Sequence, residues 1–258
     1  MILDFDGTLA PIARRPALAR LDPEVRRTLR RLAAQSRIGL AILSGRSLPD
    51  IKRRVGLTGV IYGGCYGLEI EGPRLQFRKS LTPSLHARLR RARVALEEMI
   101  TRFPGAELEW KGLAVAIHYR RVTSSRLEPL FSLTKEVAAQ EGLAILPGKK
   151  VLDLVPLGQG RKSNAVSLIE DHLEKRFDGR SRFTVYAGDD TTDAEAFPFL
   201  HERGIAIKVG GRRGAADYWL RGPREVHGML HWLAGLMSVA DLTTSGGRGW
   251  TGSPSSDA

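Results

Sequence analysis

Two acidic clusters in this chain have the residue types and spacing to handle a phosphoryl group. Asp4-Phe5-Asp6-Gly7-Thr8-Leu9 puts two carboxylates, one residue between them, at the end of a short apolar stretch. Gly188-Asp189-Asp190-Thr191-Thr192-Asp193 follows a second apolar run, Phe183 to Ala187. Read as strand ends, both deliver carboxylates to one edge of a parallel sheet, where open α/β folds bind their ligands. One aspartate can attack phosphorus and form an aspartyl-phosphate. A second can protonate the departing alkoxide and then activate water. Asp4 and Asp6 are the candidates for these two roles. Carboxylates facing a phosphate repel it unless a hard cation with oxygen ligands intervenes, and Mg²⁺ is the expected one. Asp4, Asp189 and the backbone carbonyl of Asp6 form a plausible ligand set. Asp193 is expected as a further ligand or as an organiser of the metal's waters.

The transferring oxygens also need fixed donors. Ser44-Gly45 lies just beyond an apolar run, offering a hydroxyl and adjacent amides, and Lys162 opens a helical pattern. Thr8 adds another hydroxyl. Singly, Asp6, Asp193 and Ser44 would serve as caps or turns, and Lys162 as a solvated helix residue. Four such groups, each at a strand end or helix start and in this order, favour a site.

The elements that must position these groups read as α/β. Residues 38–43 form a continuous apolar run, the pattern of a buried parallel strand. Asp22-Pro23-Glu24 starts a helix carrying Val25, Leu29 and Leu32. Leu48 to Val55 predicts a short helix and Val60 to Tyr62 another strand. The middle differs: helices over 84–102 and 124–139, and strands over 107–111, 113–119 and 151–155, the second carrying a period-two pattern at Val115, Ile117 and Tyr119 with Ala114, Ala116 and His118 on the other face. The α/β pattern then resumes with a helix from Lys162 to Lys175, a strand over 183–187, a helix from Thr192, a strand over 205–207 and a helix over 223–237. The expected fold is a Rossmann-like parallel-sheet core, residues 1–81 and 156–242, split by an inserted α+β cap domain, residues 82–155. Residues 243–258, rich in Gly, Ser and Thr, are expected to be a disordered tail.

Composition narrows the classes. The 258 residues are 42% hydrophobic and 26% charged, a globular balance. A single cysteine, Cys65, excludes an internal disulfide framework and fits a reducing compartment, so a cytoplasmic location is expected. No apolar run is long enough to span a bilayer, and no basic segment precedes the first apolar residues as a signal peptide requires. The net charge of +12 raises nucleic acid as a partner. The arginines, however, are scattered through helix-like segments without interleaved aromatics. An anionic small molecule is the expected partner, with no nucleic acid, no membrane and a monomeric state.

These motifs resemble those of the haloacid-dehalogenase-like phosphatases: Asp4 to Thr8 as the first, Ser44 the second, Lys162 the third and Gly188 to Asp193 the fourth. The insert is similar to their type-2 cap, an α/β lobe that closes over substrate. Within the superfamily the chain most resembles the trehalose-6-phosphate phosphatases. The similarity rests on Ser44-Gly45-Arg46-Ser47, on Glu109-Trp110-Lys111 followed by His118-Tyr119-Arg120, on Lys150-Val151-Leu152-Asp153 and on the fourth motif with Phe197; Lys208-Val209-Gly210 and Tyr218-Trp219-Leu220 also fit. The resemblance implies Asp4 as nucleophile, Asp6 as acid/base, and Thr8, Ser44, Gly45 and Lys162 around the phosphate. It further implies sugar contacts at Arg46, Tyr66, Glu69, Glu109, Lys111, His118, Arg120, Lys150 and Asp153, and a metal held by Asp4, Asp6, Asp189 and Asp193. Without it, Glu109, Lys111, His118 and Arg120 still read as cleft-facing strand residues able to pair with hydroxyls and an oxyanion.

The chain departs from the pattern where Cys65 and Tyr66 replace Asn-His, where Asp153 is one methylene shorter than Glu, where Ala194 replaces an acidic residue, and where Gly160-Arg161-Lys162-Ser163 lacks the common Asp-Lys-Gly. The first strand is short, and the native start is expected upstream. Sucrose 6-phosphate and mannosyl-3-phosphoglycerate phosphatases, a phosphomutase on the same core, and a basic nucleic-acid-binding module with vestigial acidic sites are the alternatives.

Overall fold

The computed structural model describes residues 1–177, 183–200, 204–211 and 214–245, with side chains to 237 in the last segment. Its larger sheet contains β1 (Ile2–Leu3), β2 (Ala41–Leu43), β3 (Ile61–Gly64), β4 (Glu69–Gly72), β5 (Leu75–Arg78), β10 (Thr184–Gly188), β11 (Gly204–Val209) and β12 (Tyr218–Leu220). Among the described residues the order is β12-β11-β10-β1-β2-β3-β4-β5. The strands from β12 to β3 run parallel, and β4 and β5 add an antiparallel hairpin. The shortest strand, β1, is therefore central, and Asp4 leaves its C-terminal end between β10 and β2. The Asp4 N–H donates to Ala187 O at 2.9 Å, which extends the pairing to the carboxylate-bearing residue itself.

Both faces of this sheet are covered, which explains why its strands read as apolar runs rather than alternations. Leu3, Ile42 and Tyr62 pack with α1 (Pro23–Ala33), α2 (Leu48–Val55) and α7 (Pro223–Ser245). Their neighbours Ile2, Ala41, Leu43 and Ile61 pack on the opposite face with Val166 and Ile169 of α5 (Lys162–Arg176). Asp22 caps α1 by accepting from the Glu24 N–H at 2.7 Å, as its Asp-Pro start predicts.

The insert forms an antiparallel sheet, β6 (Glu107–Trp110), β7 (Val115–His118), β9 (Val151–Pro156) and β8 (Leu143–Gly148), in that order. Its helices α3 (Pro83–Ile100) and α4 (Leu127–Glu141) bury Leu89, Leu96 and Leu130 against Val115, Ile117 and Leu154. The opposite face is left for the cleft. There the register sets Glu109 beside Ala116 and Ala116 beside Asp153, one row across three strands.

Several elements differ from expectation. The hairpin β4–β5 was not foreseen, because Gly72, Pro73 and Arg74 interrupt too short a stretch to show a period. β8 was missed because Leu143–Gly148 contains Pro147, which an edge strand tolerates. The helix from Thr192 is one turn, α6 (Thr191–Ala194). Residues 243–245, assigned to the tail, continue α7; the remainder of that expected tail, 246–258, lies outside the described residues.

Candidate active site

The sheet edge gathers three carboxylates and two ammonium groups. Lys162, the first residue of α5, donates to Asp4 Oδ1 at 2.7 Å and to Asp193 Oδ1 at 2.6 Å. Asp193 also accepts from the Tyr186 hydroxyl at 2.5 Å, and its Oδ2 accepts from the N–H groups of Asp189 and Asp190 at 3.1 and 3.0 Å. This reciprocal capping box fixes the turn between β10 and α6. Lys149, on the turn from β8 to β9, pairs with Asp189 Oδ2. Gly7 allows the approach of the two motifs: with φ of +84°, a Cβ there would lie 1.7 Å from Asp189 Oδ2.

Burial decides the electrostatics. It pushes the Asp4 carboxyl well above its usual range, with Lys162 opposing and Asp193 and Asp189 adding to the rise. Burial likewise lifts Asp189 to about 6 against the pull of Lys149. For Lys162 burial acts downward, but Asp193 and Asp4 outweigh it and raise the pKa of the ammonium. Three carboxylates crowded together in a buried place, two of them with raised pKa values, form a site that a cation would relieve.

Asp6 stands apart. Arg46 donates to it through Nε at 2.6 Å and Nη2 at 2.7 Å, a bidentate clamp, and through Nη1 to Asp50 at 2.8 Å. Arg46 is buried over the Phe5 ring. The loops after β2 and β3 are stitched together by Cys65 N–H to Arg46 O at 2.7 Å and Tyr66 N–H to Ser44 O at 3.0 Å. That link requires left-handed backbone at Cys65 (φ 47°) and Tyr66 (φ 59°), unusual for non-glycine residues.

Opposite this edge, the cap face supplies Glu109, whose Oε2 lies 2.8 Å from His118 Nε2. Burial alone would raise the Glu109 carboxyl, but the His118 hydrogen bond and the Lys111 charge hold it below its usual range. Lys111 donates to Asp153 Oδ1 at 2.5 Å and to Gly45 O at 2.8 Å, and Arg120 donates to Lys149 O at 2.9 Å and to Ala13 O. The cleft between edge and cap has about 720 Å³ of empty space, part of it open to solvent. A deep carboxylate–lysine cluster under a polar, hydroxyl-seeking roof is suited to a phosphorylated polyol.

The model of the trehalose-phosphatase family matches residues 2–217. The chain belongs to that family. A trehalose-phosphate phosphatase of Mycobacterium tuberculosis is 32% identical over 248 residues, 94% of this chain and 63% of that protein. An uncharacterized glycosyl hydrolase of the same species is 34% identical over 242 residues, 91% of this chain and 18% of that protein. The chain thus spans less than two thirds of either relative. Among solved structures, the C-terminal domain of C. albicans trehalose-6-phosphate phosphatase has a TM-score of 0.79 at 22% identity, covering 91% of each chain. A trehalose-6-phosphate phosphatase related protein gives 0.78 at 24% identity, covering 93% of this chain and 98% of that one. The haloacid-dehalogenase-like core with an inserted cap is the shared fold.

Within this trehalose-phosphatase fold, the sequence-predicted residues separate into groups. Asp4, Asp6, Ser44, Gly45, Arg46, Tyr66, Glu109, Lys111, His118, Arg120, Asp153, Lys162 and Asp189 all line the cleft. Thr8 does not line it; its hydroxyl is buried and, among the described residues, has no hydrogen-bond partner. Glu69, expected at the sugar, sits on β4 beside Arg78 at 3.5 Å and outside the cleft lining. Lys150 is displaced by its neighbour: with φ of 66° it takes the turn position, and Lys149 enters the cleft instead. Sequence reasoning missed Lys149 because a lysine doublet in a turn carries no period. It also missed Tyr186, Asp50 and the orienting role of Lys208, which donates to Asp189 O at 2.7 Å and Asp190 O at 3.2 Å. Asp50 had one signal, its position four residues after Arg46 on a helix start.

Asp4, Asp189 and Asp193 offer carboxylate oxygens all within 4.8 Å of one another, an oxygen-only set that can hold a hard divalent cation. Asp6 contributes no side chain to this cluster, since Arg46 occupies it. Both oxygens of Asp193 are already engaged. Among the described residues nothing donates to Asp4 Oδ2 or Asp189 Oδ1.

Proposed function

We propose that the chain is a Mg²⁺-dependent phosphatase that hydrolyses trehalose 6-phosphate to trehalose and inorganic phosphate. The observation that carries this reading is Asp4, buried with Lys162 at the centre of the sheet edge and facing a cap lined by Glu109, Lys111, His118 and Arg120. An oxygen of Asp4 attacks phosphorus, the bond from phosphorus to the sugar oxygen breaks, and Asp6 gives that oxygen its proton. Water then attacks the aspartyl-phosphate, Asp6 takes the water's proton, and the Asp4–phosphorus bond breaks. Lys162 and the Ser44 hydroxyl face the negative oxygens through both steps. Asp4 and Asp189 would hold Mg²⁺, with Asp193 orienting the set and the Asp6 carbonyl as a further ligand; the ion supplies charge neutralisation at the phosphoryl group. Arg46 holds the orientation of the Asp6 carboxylate. Glu109 with His118, and Arg120 beside them, face the sugar hydroxyls.

The test is inorganic phosphate release from trehalose 6-phosphate beside sucrose 6-phosphate, mannosyl-3-phosphoglycerate and glucose 6-phosphate, with and without Mg²⁺. Preferred, Mg²⁺-dependent release from trehalose 6-phosphate is the expected result. Equal or better release from another sugar would move the substrate while leaving the chemistry.

A further inference from the structure

Asp153 and Tyr66 face the cleft, yet neither has spare capacity for a sugar. Asp153 is completely buried, its Oδ1 taken by Lys111 at 2.5 Å and its Oδ2 by the Tyr66 hydroxyl at 2.6 Å. Tyr66 stands on the core loop after β3, whereas Asp153 is in β9 of the cap. The phenol spends its one proton on that bond. Its ring fills the space beside Gly45, where a Cβ would come within 2.6 Å of it. Lys111 makes the return connection from cap to core, donating to Gly45 O at 2.8 Å, next to the Ser44 hydroxyl. The three side chains thus cross the cap–core boundary twice and end on the loop that faces the phosphate.

We propose that Tyr66 and Asp153 are positioning residues, a latch that docks the cap on the core and aims Lys111, and not contacts to the sugar. The length match supports it. The long phenol reaches from the core to a short carboxylate held in the cap sheet. The protonation state fits as well: burial and the Asp153 charge push the Tyr66 hydroxyl well above its ordinary range, which keeps it a donor. This inference rests on the phosphatase reading in that the latch would order the cap over a substrate.

The chain carries its own reporter. Cys65, the only cysteine, is fully buried in the same junction, packed with Leu89, Leu113 and Val115 of the cap, and its Sγ lies 3.7 Å from Lys111 O. Burial pushes its thiol up to about 12. A thiol reagent therefore reaches it when the junction opens. The experiment measures Cys65 labelling by an aromatic disulfide reagent under native conditions in the full chain, for the wild type, Tyr66→Phe, Asp153→Asn and the double variant. Urea unfolding of each separates junction opening from global unfolding. Tyr66→Phe is expected to label about tenfold faster or more, the loss of one hydrogen bond to a charged group. The double variant is expected to label more slowly than the product of the two single effects predicts, because Tyr66 and Asp153 share one bond while Asp153 also holds Lys111. In turnover, Tyr66→Phe should weaken kcat/KM for the sugar phosphate and for p-nitrophenyl phosphate alike. Unchanged labelling in Tyr66→Phe overturns the latch. A loss confined to the sugar phosphate also overturns it and makes Tyr66 a sugar contact. Labelling needs no substrate, so a wrong choice of sugar leaves this result readable.

Discussion

The two walls of the cleft are built on different principles. At the sheet edge, Asp4, Lys162, Asp189 and Asp193 hang from the ends of β1 and β10 and the starts of α5 and α6, and their partners lie mostly in the same body. On the cap, Lys111, Asp153 and Arg120 spend part of their bonding capacity on the core. The edge is built mainly from the core, with Lys149 of the cap turn reaching across to Asp189. The cap face is defined only when docked. On the proposed function, phosphoryl chemistry is thereby largely separated from recognition, and substitutions at the two walls should fail in different ways.

The most severe break is at the edge. Asp4→Asn keeps the size of the side chain and a contact to Lys162 but removes the attacking oxygen's charge. Phosphate release should fall by about 10⁴-fold or more, with the fold retained. Full activity in this variant would end the nucleophile assignment. Stripping divalent cations with a chelator comes next: turnover should collapse and return on adding Mg²⁺. Without substrate, Mg²⁺ should also raise Tm, since an ion bound only by the folded cluster stabilises it. An enzyme indifferent to chelation would contradict the reading of Asp4, Asp189 and Asp193 as a cation site.

Lys162→Met sharpens the contrast in stability. Lys162 is buried between two carboxylates, and removing one partner of a buried pair leaves its charges uncompensated. A loss of about 3–5 kcal/mol in urea unfolding is expected, together with loss of turnover. A destabilisation within the range of a surface substitution would mean that water, rather than Lys162, solvates the Asp4 cluster.

The unequal legibility of the two walls has the same origin. The edge was readable because each contributor sits at a strand end or helix start: Asp4 after Ile2-Leu3, Ser44 after the run 38–43, Lys162 opening α5, and Asp189 after β10. Such groups converge by topology alone, so the parallel pattern sufficed to bring residues 158 positions apart, Asp4 and Lys162, into contact. On the cap, the period-two pattern found β7 and hence the facing of His118. It could not find β8, whose edge strand includes Pro147, nor choose Lys149 over Lys150, a choice made by one positive φ. Nor could it show that Asp153 turns inward to Tyr66, a bond between residues 87 apart that depends on how the cap docks. Local patterns specify elements, and docking geometry specifies which of their side chains remain free.

The smallest effect belongs to the cap pair Glu109 and His118, and it tests whether this wall recognises without reacting. Glu109→Gln keeps the shape but weakens acceptance from sugar hydroxyls. The loss should appear as KM raised about tenfold with kcat nearly unchanged, the signature of binding shared equally by ground and transition states. The same substitution should lower stability at neutral pH and leave it unchanged in acid. Glu109 is depressed in the folded protein, so its stabilising contribution is present above the ordinary carboxylate range and lost as pH falls through its folded value. Wild type and Glu109→Gln should therefore differ most near neutral pH, the wild type being more stable, and converge in acid. A fall in kcat to match the rise in KM would place Glu109 in the transition state and erase the division between the two walls.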